Sequence, residues 1–147
     1  MARITSIIVL LALVALAATG ADAGAVYEID YATYDVKVTD TKSVVTEARE
    51  FGFFTGPNIL MARRGDAWVD IPFRKIRSIE VGTYIPSKGH YPATVTSRRG
   101  KVLHVQIERV EGQRYLGGDT DVGSYRIRLG QIQRLDLIRL SRTEDFD

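Results

Sequence analysis

Along most of the chain, apolar and polar positions alternate residue by residue, the pattern of half-buried strands rather than of helices. Tyr27, Ile29 and Tyr31 oppose Glu28 and Asp30; Tyr34, Val36 and Val38 oppose Asp35, Lys37 and Thr39. The phase changes at Ala32-Thr33, as a bulge would produce. Asp40-Thr41-Lys42 predicts a turn, Ser43 to Glu50 a strand, and Phe51 to Pro57 (FGFFTGP) a connection punctuated by Gly and Pro. Asn58 to Arg63 reads as a short strand, and Arg64-Gly65-Asp66 as the turn into Ala67 to Phe73. In the second half, Ala93 to Arg98 is a strand, Arg99-Gly100 a turn, and Lys101 to Arg109 a strand with Leu103, Val105 and Ile107 on one face. Glu111-Gly112 turns into Gln113 to Leu116, and Gly117 to Gly123 (GGDTDVG) reads as a loop. Tyr125, Ile127 and Leu129 then face inward while Arg126 and Arg128 face solvent. Closely spaced turn signals and the lack of an amphipathic helix predict an all-β sandwich or barrel.

The amino terminus departs from this pattern. Arg3 is followed by an unbroken apolar run, Ile7 to Ala18, and by Ala21-Asp22-Ala23, which fits the small-x-small rule of signal peptidases. A spanning helix needs about 20 apolar residues, so the run is too short for one. Residues 1–23 are therefore expected to form a cleaved signal helix, with no stable membrane span left after cleavage.

The two halves echo each other. Ile71 to Val81 (IPFRKIRSIEV) aligns without gaps on Ile127 to Leu137 (IRLGQIQRLDL), and Val38-Thr39 corresponds to Val95-Thr96. In both copies a strand ends at Phe73 or Leu129, and the next apolar residue, Ile76 or Ile132, follows three positions on, as one turn of 3₁₀ helix requires. A new alternating strand then begins. This strand–3₁₀–strand ending resembles the small SH3-like or Sm-like barrel. The resemblance implies two tandem, sequence-related barrels packed together, the alternative being a single β-sandwich, and it implies architecture only. The expected organisation is 1–23 signal peptide, 24–82 first barrel-like half, 83–92 linker (within GTYIPSKGHYP), 93–140 second half, and 141–147 acidic tail.

Composition narrows the chemistry. The 147 residues carry 20 Lys+Arg and 18 Asp+Glu, a near-balanced net charge of +2. Zero cysteines exclude disulfides, thiolate metal sites and a cysteine nucleophile, and two histidines do not suffice for a His-rich metal centre. Cysteine-free export fits a bacterial periplasm or exterior. The single asparagine, Asn58, is followed by Ile-Leu and so forms no glycosylation sequon.

Arg64-Gly65-Asp66 matches an integrin-binding tripeptide but is also an ordinary hairpin turn. Asp119 and Asp121 alternate as calcium ligands do, but a third loop acid is missing and no bidentate Glu closes the loop, so no metal and no cofactor are expected. The basic runs Arg63-Arg64, Arg74-Lys75-x-Arg77 and Arg98-Arg99-x-Lys101 are interleaved with Asp66, Asp70 and Glu80. Export removes them from nucleic acid, which is not an expected partner, so they read first as a solvated face; an anionic envelope polymer is a less demanding partner for the same charges. Asp66 and Asp70 form no assured carboxylate pair, and no nucleophile elbow is present. The aromatics Phe53, Phe54, Tyr84 and Tyr91, near the connections, are the candidate binding residues, since an exposed aromatic patch marks a partner surface; the plain alternative is that the loop folds back over an open barrel end and buries the rings. The resulting expectation is an exported, non-catalytic interaction or structural module of the bacterial envelope, periplasmic or secreted. Its partner would be an envelope protein, a glycan or another copy of the chain. The alternative is a small hydrolase using His104 or His90 with carboxylates.

Overall fold

The computed structural model describes residues 31–109 and 114–141. The signal-peptide, Tyr27–Asp30, Glu111-Gly112 and 142–147 expectations lie outside these residues. Within them the chain is all-β: β1 Tyr34–Asp40, β2 Val45–Phe53, β3 Ile59–Arg64, β4 Ala67–Pro72, β5 Ile76–Val81, β6 His90–Ser97, β7 Val102–Glu108, β8 Tyr115–Thr120, β9 Gly123–Arg128 and β10 Ile132–Leu140. Short 3₁₀ turns at Phe73–Lys75 and Leu129–Gln131 join β4 to β5 and β9 to β10. They occupy the positions that the three-residue apolar step predicts. In both, the strand that follows starts on a buried isoleucine, Ile76 or Ile132.

All ten strands form one antiparallel sheet in the order β4-β3-β7-β6-β5-β10-β1-β2-β8-β9. The hydrogen bonding crosses between the sequence halves. The hairpin β1–β2 is flanked by β10 and β8, and β6–β7 by β5 and β3. This corrects the expectation that each half pairs its own strands. The short connection after β2 leads to β3 on the opposite side of the sheet instead of folding back as a hairpin, and the consecutive strands β7 and β8 are likewise not neighbours. After β2, Phe53 N–H donates to the Asn58 side chain (2.8 Å) and Phe54 N–H to the Tyr115 carbonyl (3.0 Å), which ties the end of β2 to β8.

The order is unchanged when β1–β5 and β6–β10 are exchanged and it is read backwards. Its midpoint is the β5–β10 pair, where Ile79 stands opposite Leu135, the residue it aligns with in the sequence repeat. Beside this pair, Arg134 reaches both Glu80 and Asp136. Matching bonds recur away from the midpoint: Arg98 N–H donates to the Lys75 carbonyl and Thr41 N–H to the Gln131 carbonyl, each at 3.0 Å. The inward residues of nearly every strand, among them Val36, Phe51, Leu60, Ile76, Ile79, Val105, Leu116 and Leu135, join one buried cluster.

Several sequence boundaries move. Phe51 and Gly52, expected in a connection, are buried at the end of β2. Gly117 to Thr120, expected in a loop, complete β8. A Cβ on Gly117 would strike the Phe54 ring at 2.7 Å, so the glycine is there for close packing rather than for a turn. Tyr31 is exposed and outside any strand. The 83–92 linker is partly ordered: Ile85 bridges His90, which opens β6, and Gly89 N–H closes on the Ile85 carbonyl. Gly65, at positive φ, forms with Asp66 the tight hairpin expected between β3 and β4.

Candidate functional site

The outer faces of β3 and β4 carry residues that strand alternation aims away from the core. Met61 stands across from Asp70, and Arg63 across from Trp68. Met61 and Trp68 remain half exposed. Together with Phe53, Leu60, Val81, Tyr91, Ile107 and Leu129 they line a cavity of about 370 Å³. Its size falls in the range of small-ligand clefts, and its wall is mostly apolar. Because β3 and β7 pair across the sequence halves, and Leu129 comes from the turn after β9, the pocket draws on both halves and would not exist in either alone.

Aromatic contacts set the wall. Phe53 packs on the buried Phe73 ring with centroids 5.3 Å apart, and Tyr91 packs on Tyr84 at 4.9 Å. The Tyr91 hydroxyl stands over Gly130, where a Cβ would meet it at 2.5 Å; the glycine leaves the space that the tyrosine fills. Guanidinium groups cover the rings: Arg114 lies 4.3 Å over Phe53, Arg109 5.4 Å over Tyr84 and Arg63 5.1 Å over Trp68. Such cation–π contacts hold a cation beside apolar surface while leaving its donors available. Arg63 also pairs with Glu108 at 2.8 Å, and its Nε is buried without a hydrogen-bond partner. Arg114 donates to the Thr55 carbonyl, while Arg109 makes no ion pair among the described residues. Asp70 adds one exposed acid to the lining.

Of the aromatics singled out by sequence, Phe53 and Tyr91 line this pocket and Tyr84 supports it from behind. Phe54 is not part of it. This ring, 54% exposed, lies in a separate shallow depression with Gly117, Tyr125 and Arg126. There, burial pushes the Tyr125 phenol above its ordinary pKa. The pocket residues that sequence reasoning missed are Trp68, Met61, Arg109, Arg114 and Leu129. The signal was present for the first two, which are large apolar residues at outward positions of strands. Their gathering depends on pairing between halves.

The remaining candidates are scattered. His90 and His104 line a broad, open concavity with Glu80 and Gln133, and His104 Nδ1 lies 3.3 Å from Thr94 Oγ1. Asp119 stands in β8, and Asp121, in the turn beyond, pairs with Arg49 at 3.1 Å. Among the described residues, no group of three or more His, Asp or Glu side chains is placed to hold a metal ion. No helix among them is long and apolar enough to cross a membrane. A scan against protein-family models finds no match for the chain, and neither does a search of curated proteins.

Proposed function

We propose that this protein is an exported, non-catalytic binding module of the bacterial envelope, periplasmic or secreted, built as two SH3-like five-stranded units that exchange strands. The apolar leader of residues 1–23 supports export, and the matched 3₁₀ turns and the midpoint at Ile79 and Leu135 support the two-unit reading. The observation that carries the binding role is the apolar pocket between the halves, lined by Phe53, Met61, Trp68, Tyr91 and Leu129 with Arg109 and Arg114 at hand. It suits an apolar group with an anionic end, as presented by an envelope partner, because the rings take the body and the guanidinium donors take the charge.

Trp68 is the only tryptophan in the chain and lines the pocket, so its emission reports occupancy. The test is titration with anilinonaphthalene sulfonate, an aromatic anion of suitable size. Binding should quench Trp68 with energy transfer to the dye. Met61→Asp, a substitution at an exposed strand position that leaves the core intact, should weaken binding by roughly tenfold while far-UV circular dichroism is unchanged. Equal binding by the wild type and Met61→Asp, or dye binding without any change in Trp68 emission, would exclude this pocket as the site.

A further inference from the structure

The tertiary structure joins two basic runs that lie more than twenty residues apart in sequence. The hairpin turn after β6 carries Arg98, Arg99 and, past Gly100, Lys101; the 3₁₀ turn before β5 carries Arg74 and Lys75, with Arg77 just beyond. The two are bonded directly, Arg98 N–H to the Lys75 carbonyl at 3.0 Å, and the Cβ position of Gly100 lies 3.6 Å from the Arg77 guanidinium. All six cations are exposed. The nearest acids along β5 and β10, Glu80 and Asp136, are both engaged by Arg134. Arg98 also donates to the Leu137 carbonyl at 2.9 Å, which anchors the corner to β10.

The other half supplies an internal control. Its equivalent turn, Thr41 to Val44, makes the same bond to its 3₁₀ turn, and Ser43 takes the positive φ that Gly100 takes. The residues there are Thr41, Lys42, Gly130, Gln131 and Gln133, with one cation among them. The same backbone corner therefore forms without the charges, so folding does not require them. Crowding like charges on one corner costs stability through repulsion, and a ligand of opposite sign offsets that cost.

We infer that this corner binds a phosphate-bearing polyanion. The guanidinium forks of Arg77 and Arg99 match phosphate oxygens, and Lys75 and Lys101 add point charges along the same ridge. A polymer suits it better than a membrane surface. Val102 is the one large apolar residue exposed in these two segments, which is too little to enter a bilayer. The site is separate from the Trp68 pocket and does not depend on it.

The experiment measures anisotropy of fluorescently labelled inorganic polyphosphate against the full chain at about 0.1 M salt, where charges more than about 10 Å apart are largely screened. Lys75→Gln with Arg77→Gln installs the residues that the other half carries at these positions, Gln131 and Gln133. This double variant should melt at or above the wild-type temperature, because it relieves like-charge repulsion, and should weaken binding by roughly tenfold or more. Lys37→Gln with Lys42→Gln removes as much charge elsewhere and should bind as the wild type does. The reverse change, Gln131→Lys with Gln133→Arg, should tighten binding by creating a second corner, and it carries the test should the first variant not fold. The inference is overturned if both charge-removing variants weaken binding equally, if the wild type ignores polyphosphate, or if it sediments with phosphatidylglycerol vesicles while ignoring polyphosphate.

Discussion

Asn58 offers the sharpest test of how the pocket is held. Its side chain is buried in the connection between β2 and β3. Oδ1 accepts from Phe53 N–H at 2.8 Å, Nδ2 donates to the Ala32 carbonyl at 2.7 Å, and its own carbonyl accepts from Phe73 N–H at 2.9 Å. Asn58→Ala keeps the last bond and removes the other two. Loss of a partner for a buried polar group costs about 1–3 kcal/mol, so two such losses amount to about 2–6 kcal/mol. That is a large share of the roughly 5–15 kcal/mol typical of a folded domain. The assay is urea unfolding followed by Trp68 emission and circular dichroism together. The variant should unfold at lower urea with an unchanged slope, and dye binding should weaken because Phe53 loses the hydrogen bond that fixes its backbone. Asn58→Asp adds a pH signature. A carboxyl there must be protonated to donate to the Ala32 carbonyl, and burial favours the same neutral form, so its folded pKa lies above the unfolded value. Its stability is therefore closest to wild type below the unfolded pKa and is lost as pH rises through the folded one. An Asn58→Ala cost below about 0.5 kcal/mol, within the usual range for surface substitutions, would refute the role given to this side chain.

Other outcomes follow from the same structure. Ile76→Ala and Ile132→Ala should each destabilise by about 2–5 kcal/mol in urea, since both side chains are fully buried at the start of equivalent strands; a large cost at one and none at the other would break the two-unit reading. At Asp35, burial opposes ionisation, but hydrogen bonds from Arg139 and Ser141 outweigh it and hold the carboxyl below the usual range. Its contribution is present above the unfolded pKa and lost as pH falls through the folded one, so Asp35→Asn should flatten the acid limb of a melting-temperature profile. Mass spectrometry of protein from the exported fraction should find Gly24 as the first residue, and a chain retaining residues 1–23 there would refute the cleavage assignment.

Much of this molecule was legible one residue at a time. Alternation placed β1, β3, β7 and β9 to within a few residues, because a strand's side chains report their own face. The 3₁₀ turns were legible from the three-residue step between Phe73 and Ile76 and between Leu129 and Ile132. Legibility failed where a residue's role depends on a distant neighbour. Gly117 and Gly118 read as loop residues because local propensity assigns glycine to turns; in the fold they lie in β8 because the Phe54 ring and the β2 backbone leave no room for a side chain. Phe51 read as part of a connection and proved to be buried in the core.

By itself, then, the sequence determined the strand content and the corner geometry, both of which are set by interactions a few residues long. Only the tertiary structure decided which strands pair, and through that the pocket and the basic corner. Antiparallel partners satisfy the same backbone groups whichever half supplies them, so local pattern cannot choose between pairing within a half and pairing across halves. That choice rests on long-range packing and on the connection at 54–58, which leads from β2 to β3 on the opposite side of the sheet. Trp68 in β4 and Tyr91 in β6 share one pocket for that reason.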